Sequence, residues 1–135
     1  MVKIKRKKNK GGMVMNNIKY HLYKTLTKYH TRNPYKIASK MNIEILHNNL
    51  DPKIRGLTVY DSKEKIHIIG LNTNLSYIME KFVLAHELGH VILHPKLGRY
   101  FIEKNTLFVP NKFEMQANKF AALLLIDKEK LIDLV

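Results

Sequence analysis

Hydrophobic residues near the start of the chain recur at helical spacing. The repeat consists of Ile18, Leu22, Leu26 and Tyr29. Successive members are four, four and three residues apart, which is typical of an amphipathic helix with one face on a core. The pattern predicts a first helix over about residues 16–30. Asn33 followed by Pro34 is a helix start with Asn as its cap, and it predicts a short second helix that ends near Met41.

The hydrophobic period then changes to that of β-strands. Ile43 and Ile45 alternate, a second extended run follows over residues 54–59, and a third spans residues 65–71. Turn residues at 61–64 join the second and third runs into a hairpin. The pattern therefore predicts a small antiparallel sheet of about three strands, which needs helices over one face because an isolated hairpin is marginal in water.

Helical periodicity returns in the second half of the chain. It extends from after Asn74 to His94, where Pro95 disfavours further helix, and again over about residues 112–126. Asp127 stands where it could cap a further helix. Helices on either side of a small sheet predict an α+β fold, with a single domain over residues 16–135.

Positive charge is concentrated at the front of the chain. The formal net charge is +13, but residues 1–43 hold twelve Lys or Arg and no acidic residue, whereas twelve basic and eleven acidic residues follow from Glu44 onward. Six of the first ten residues are basic, and this composition predicts a disordered tail over residues 1–15. No apolar run approaches the roughly 20 residues of a membrane span. The absence of Cys excludes disulfides and thiolate metal sites, so any metal ligands must be His, Asp or Glu. It also permits a reducing cytoplasm, which is the location we expect.

The third predicted helix carries the pattern His-Glu-x-x-His, from His86 to His90. Residues four apart share one helix face, so both imidazoles can reach one ion. Two neutral nitrogen ligands can hold a Lewis-acidic zinc ion, and Glu87, beside that face, can take a proton from the attacking water. The alternative is a chance meeting of His and Glu on a helix surface. The residues around the motif are apolar, which predicts that this helix is buried. Two His and one Glu on a buried helix need bonding partners, and this argues against a chance arrangement.

A hydrolytic zinc site needs a third protein ligand. His94 continues the four-residue spacing, but it lies about 12 Å from His86 along a helix axis, which suits a position beside the ligands, facing the substrate or at the helix end. The metzincin pattern would require a His where Lys96 stands, so that class is excluded. Glu114, at the edge of the buried stripe of the following helix, is the better candidate. A solvated Glu near a helix start explains Glu114 equally well at this point.

Small residues on these two helices predict that they pack closely. Ala85 and Gly89 are four residues apart on one helix, and Ala117 and Ala121 are four apart on the other. Gly costs about 1 kcal/mol of helix propensity relative to Ala, which is reasonable where close approach is needed. Such packing would bring Glu114 toward the two His.

Two sequence blocks together resemble the ImmA/IrrE family of zinc metallopeptidases. The blocks are Phe82-Val83-Leu84-Ala85-His86-Glu87-Leu88-Gly89-His90 followed by His94-Pro95, and Glu114-Met115-Gln116-Ala117-Asn118-Lys119-Phe120-Ala121-Ala122-Leu123-Leu124. The resemblance covers about residues 34–127. It implies a compact α+β domain related to thermolysin-like gluzincins. It also implies one zinc ion per chain on His86, His90 and Glu114, with Glu87 as the general base.

Family members encoded on phages and mobile elements typically cut a helix-turn-helix repressor, and others act in stress responses. The resemblance therefore implies an intracellular, site-specific zinc endopeptidase whose partner is a transcriptional repressor. Asn118 stands one helical turn beyond Glu114 and is a candidate to support the ligands. His94, Arg99 and Tyr100 are the candidates to stabilise the developing oxyanion.

A nucleic-acid or repressor-binding module with a non-catalytic metal is the alternative function. Its only support in the sequence is the basic front segment. That support is weak, because phosphate attraction by itself confers little sequence specificity. A structural zinc site normally fills four ligand positions, and no fourth conspicuous ligand is present in the sequence. Mn²⁺ or Fe²⁺ also fits a site of two His and one carboxylate, although a Glu inside the motif favours zinc hydrolysis.

Overall fold

The computed structural model describes residues 10–96 and 111–126. Seven elements follow one another along this part of the chain. They are α1 (Lys10–Tyr29), α2 (Pro34–Lys40), β1 (Glu44–Asn48), β2 (Gly56–Asp61), β3 (Ile66–Asn72), α3 (Tyr77–Leu93) and α4 (Asn111–Leu125). The α+β class predicted from the periodicity is confirmed.

Helix α1 begins earlier than the hydrophobic repeat indicates. It starts at Lys10 rather than near residue 16, so the last part of the predicted tail is helical, with exposed side chains over residues 11–14. Residues 1–9 of that tail lie outside the described part of the chain. The predicted inward face is confirmed, because Ile18 and Leu22 are buried in the core and Leu26 packs against it. The helix ends where His30 adopts a positive φ of 56°.

Helix α2 begins as its capping residue predicts. The side chain of Asn33 accepts hydrogen bonds from the backbone N–H groups of Tyr35 (2.9 Å) and Lys36 (3.4 Å), and Pro34 occupies the first turn. Such a cap satisfies backbone donors that have no partner within the helix. Ile37 and Ala38 are fully buried, so this short helix is anchored by its inner face.

The sheet has the order β1-β3-β2. β2 and β3 pair antiparallel, as the hairpin pattern predicts, but β1 pairs parallel to β3, so the sheet is mixed rather than fully antiparallel. The reason is topological: the connection after β1 reverses the chain into β2, the hairpin reverses it again, and β3 is inserted between the two. As a result, β2 is an edge strand whose strand partner among the described residues is β3.

The core lies between the sheet and helix α3, and α1, α2 and α4 close it on the other sides. Its fully buried large side chains are Ile18, Ile37, Ile69, Leu71, Leu84, Leu88, Phe120 and Leu124. α3 contributes to this core and also carries the His-Glu-x-x-His pattern. In the described ranges, no helix combines the length and the apolar character needed to cross a bilayer.

Candidate metal centre and active site

The His-Glu-x-x-His pattern lies in the middle of α3, where the helix is held at both ends. The Ser76 hydroxyl caps the start by accepting a hydrogen bond from the Met79 N–H (3.2 Å), and the His94 N–H donates to the His90 carbonyl at the end (2.7 Å). Glu87 and His90 are buried, with relative exposures of 7% and 3%. The motif therefore sits on a rigid, largely enclosed segment.

Helix α4 crosses α3 at very short range. A β-carbon added to Gly89 would lie 3.3 Å from the Cα and the carbonyl oxygen of Ala117, and 3.2 Å from a ring carbon of Phe120. These separations are shorter than ordinary van der Waals contacts between carbon atoms. The close approach predicted from the small residues is confirmed at Gly89 and Ala117, and it brings the first turn of α4 to the motif.

His86, His90 and Glu114 form a cluster that could hold a metal ion. Each offers one ligand atom, and these atoms lie within 4.8 Å of one another. The Glu114 Oε1 atom is 3.3 Å from the Nε2 atom of His86 and 2.6 Å from the Nε2 atom of His90. Two ligand atoms on one tetrahedral zinc ion, with bonds near 2.0–2.1 Å, stand about 3.3 Å apart. The separation of Glu114 from His86 equals this value, whereas its separation from His90 is shorter.

Hydrogen bonds on the far side of each imidazole determine its orientation. The Nδ1 atom of His86 lies 2.7 Å from the Oδ1 atom of Asn118. The Nδ1 atom of His90 lies 3.3 Å from the Nδ1 atom of His94, whose Nε2 atom lies 2.7 Å from the Oε1 atom of Gln116. With both amides presenting their oxygens, His86 and His94 donate to them. His94 then accepts from His90.

This bonding pattern leaves the two motif histidines with unprotonated Nε2 atoms. In these tautomers each Nε2 atom carries a lone pair, and both Nε2 atoms lie close to the same carboxylate oxygen of Glu114. Burial, reinforced by the neighbouring His86, lowers the pKa of His90 to about 4, which favours its neutral form. Three electron-pair donors directed at one point repel each other unless a cation lies between them. The residues present therefore fit a divalent metal ion.

Glu87 lines the same cleft as this cluster and is held by a residue that the motif does not contain. The Thr58 hydroxyl, on β2, donates to the Oε2 atom of Glu87 at 2.7 Å. Burial raises the pKa of Glu87, and the hydrogen bond from Thr58 partly opposes that rise. A buried carboxylate with a raised pKa is suited to accepting and returning a proton.

A cleft of about 560 Å³ opens over these side chains. One wall consists of residues 52–58, which lead into and begin β2. The opposite wall is formed by α3 and α4, including Phe82, Val83, His86, Glu87, His90, Glu114 and Asn118. Both the possible metal ligands and the buried Glu87 are therefore reached from one concavity, which is the usual form of a binding site.

The structure places most of the site residues predicted from the sequence, and adds two. His94 does not join the cluster of His86, His90 and Glu114, but its ring contacts His90. Arg99 and Tyr100 lie outside the described residues. Thr58 and Gln116 were not singled out from the sequence. The only feature of the sequence that could have indicated Gln116 is its position two residues after Glu114. For Thr58, the only such feature is that it is a polar residue within a predicted strand.

Comparison with known proteins agrees with this geometry. The IrrE N-terminal-like domain, a peptidase domain, matches residues 38–135. An uncharacterized immunity region protein 2 of Bacillus phage phi105 is 40% identical over 119 residues, which are 88% of this chain and 73% of the relative. The metallopeptidase ImmA of Bacillus subtilis (strain 168) is 35% identical over 112 residues, which are 82% of this chain and 64% of the relative. The chain therefore belongs to the ImmA/IrrE family of metallopeptidases.

Proposed function

We propose that the chain is a zinc-dependent, site-specific endopeptidase with His86, His90 and Glu114 as metal ligands and Glu87 as the general base. The observation that carries the proposal is the convergence of the Nε2 atoms of His86 and His90 and a carboxylate oxygen of Glu114 in one cleft that also holds the buried Glu87. Zinc is the favoured metal because two His and one carboxylate, with a position open to the cleft, form a typical catalytic zinc site.

A zinc ion held there supplies a Lewis acid that acidifies water and polarises the peptide carbonyl. Glu87 accepts the proton of the water that attacks the carbonyl carbon, and later delivers that proton to the departing amine nitrogen. The Thr58 hydroxyl already donates to Oε2 of Glu87, so we assign the proton transfer to Oε1. Asn118 holds His86, and His94 with Gln116 holds His90, in the tautomers that direct Nε2 inward.

A protein substrate is supported by the edge strand beside the site. Residues 56–58 of β2 line the cleft, and their outer edge carries backbone groups that can pair with an extended peptide. Pairing of this kind would hold a substrate chain along this wall of the cleft without requiring particular side chains.

The substrate we propose is a helix-turn-helix transcriptional repressor of a phage or mobile element. The proposal is supported by the relatives, one named for a phage immunity region and one named as the metallopeptidase ImmA. Such a repressor is bound to DNA in the cytoplasm, so we propose that compartment for the peptidase too. The alternative, a module that binds the repressor or nucleic acid with a non-catalytic metal, predicts binding without cleavage.

The test combines metal analysis with a cleavage assay on helix-turn-helix repressors of phages and mobile elements. Elemental analysis of the purified protein should find about one zinc ion per chain, rather than manganese or iron. Glu87→Gln should keep the metal and lose cleavage, whereas Glu114→Gln should lose both. Binding of the repressor by the metal-loaded wild type without any cut would reject the endopeptidase and favour the binding module.

A further inference from the structure

Two cations on one wall of the cleft have no role in the proposed proton transfer. Lys53 and Arg55 both line the cleft, and both are exposed. Within residues 10–96 and 111–126, neither side chain forms an ion pair or a hydrogen bond. Their charges are therefore available to a molecule that enters the cleft.

The general basicity of the chain does not explain this pair. From Glu44 onward, twelve basic residues are nearly balanced by eleven acidic ones. Among the described residues, the acidic side chains that line the same cleft are Glu87, which accepts a hydrogen bond from Thr58, and Glu114, which is a proposed ligand of the metal ion. Asp51 lies next to this wall and accepts from the Lys53 backbone N–H at 2.8 Å, but it does not line the cleft. The wall therefore presents the positive charges of Lys53 and Arg55 to the cleft.

The backbone of residues 50–55, which carries Lys53 and Arg55, is held by hydrogen bonds from Asn72. The buried side chain of Asn72 donates to the carbonyls of Leu50 (3.2 Å), Asp51 (3.3 Å) and Ile54 (3.0 Å). The Asn72 backbone N–H donates to the Arg55 carbonyl at 2.9 Å. A backbone fixed in this way reduces the entropy lost when a ligand binds the side chains above it.

We propose that Lys53 and Arg55 select substrates with a carboxylate beside the cleaved bond, which deepens the proposed peptidase function and depends on it. The carboxylate belongs to an Asp or Glu side chain, because an endopeptidase cuts away from chain ends. Since the contact exists before the reaction as well as during it, it lowers KM more than it raises kcat. The charges are exposed, so the preference weakens as salt concentration rises.

The test uses internally quenched peptides that carry the sequence around the bond cut in the repressor. Each flanking position is occupied in turn by Glu, Gln or Lys, and both peptide ends are blocked; a second set has a free C-terminal carboxylate. For the wild type, Glu at one position should exceed Gln by about fivefold in kcat/KM at low salt, with Lys lower still. The difference should lie in KM and should shrink at high salt.

Charge reversal supplies the matched comparison. The double variant Lys53→Glu/Arg55→Glu should prefer Lys over Glu at that position. The control Lys36→Glu/Lys63→Glu makes the same change of net charge at exposed residues outside the cleft, and it should keep the wild-type preference. Zinc content and circular dichroism establish that each variant is folded and loaded.

The outcomes separate the two proposals. Wild-type cleavage with no charge preference, or an equal change in the control variant, rejects the role of Lys53 and Arg55 and leaves the peptidase standing. If only the peptides with a free C-terminal carboxylate are preferred, then Lys53 and Arg55 recognise the end of a chain. That result would overturn the assignment of the carboxylate to an Asp or Glu side chain. If neither the repressor nor any peptide is cut, the peptidase proposal fails and this inference fails with it.

Discussion

Gly89 of α3 and Ala117 of α4 are in direct backbone contact, because a β-carbon on Gly89 would lie only 3.3 Å from the Cα of Ala117. This contact sets the distance between the helix that carries the two motif histidines and the helix that carries Glu114. The spacing of the possible metal ligands is therefore controlled by a residue that has no side chain.

Replacing Gly89 with Ala should weaken the fold and the metal site together. The new methyl group would press on backbone atoms of Ala117, which cannot move independently of α4. Overpacking typically costs about 1–3 kcal/mol, and the gain in helix propensity of about 1 kcal/mol offsets only part of it. Thermal unfolding followed by circular dichroism should show a lower Tm for Gly89→Ala, and zinc titration should show lower affinity.

Gly70→Ala is the matched control for this experiment. An added β-carbon at Gly70 would meet Leu57 side-chain atoms at 3.5 Å, which is an ordinary contact. Its Tm and zinc affinity should remain near those of the wild type. Equal effects of the two substitutions would show that the Gly89 contact does not control the site.

Thr58→Val should move the acid limb of the pH–rate profile to higher pH. Burial already raises the pKa of Glu87, and the Thr58 hydroxyl opposes that rise, so removing the hydroxyl raises the pKa further. A base with a higher pKa stays protonated, and inactive, up to a higher pH. The pH dependence of kcat/KM on a repressor peptide measures the shift. Thr58→Ser keeps the hydroxyl and should keep the wild-type profile; a shift of the same size in Thr58→Ser would refute the hydrogen-bond explanation.

Asn118→Ala should lower metal affinity without abolishing it. The amide oxygen of Asn118 orients His86 from behind, and loss of such a partner typically costs about 10–100-fold in affinity. Competition with a chelating dye measures the change. Lys119→Ala, at the next and equally exposed position, is the control and should bind as the wild type does. An unchanged affinity in Asn118→Ala would remove the orienting role.

Tyr35→Phe should reduce the pH dependence of stability at both extremes. The Tyr35 hydroxyl donates to Glu80 at 2.8 Å, and His47 also lies 3.1 Å from that carboxylate oxygen. Burial raises the Glu80 pKa, but the bonds from Tyr35 and His47 outweigh it, so the net shift is downward. Glu80 therefore contributes stability above its unfolded value of about 4.5, which is lost as pH falls through the lower folded value.

The alkaline side follows from the other partner of the same bond. Burial, together with the hydrogen bond to Glu80, raises the pKa of Tyr35 from 10.0 to about 12. Its contribution is complete below pH 10 and is lost as pH rises toward 12, because the unfolded chain releases the proton first. Tm measured across both ranges should change less steeply in Tyr35→Phe than in Tyr23→Phe, an exposed control. Parallel curves for the two variants would contradict this assignment.

Features that depend on local chemistry could be predicted from the sequence. Asn33 could be predicted to cap α2, because its side-chain oxygen needs only the free N–H groups two and three residues further along the chain. The close contact at Gly89 could be predicted from small residues at helical spacing. The parallel pairing of β1 could not be predicted, since strand order depends on where the hairpin inserts. The role of Thr58 was also missed because it depends on tertiary packing. The alternation of Leu57 and Val59 indicates that these two residues form the buried face of β2, whereas in the structure α3 packs on the other face and buries Thr58.

Arg32 joins the front of the chain to the helix that carries Glu114. Its guanidinium donates to the carbonyls of Leu123 (2.9 Å), Leu124 (3.1 Å) and Ile126 (3.3 Å), at the C-terminal end of α4 and just after it. The family domain matches from residue 38 onward, so this connection starts outside it. A fragment that begins at residue 38 would lack both Arg32 and α1, and it would therefore expose the end of α4 and the apolar surface that α1 covers.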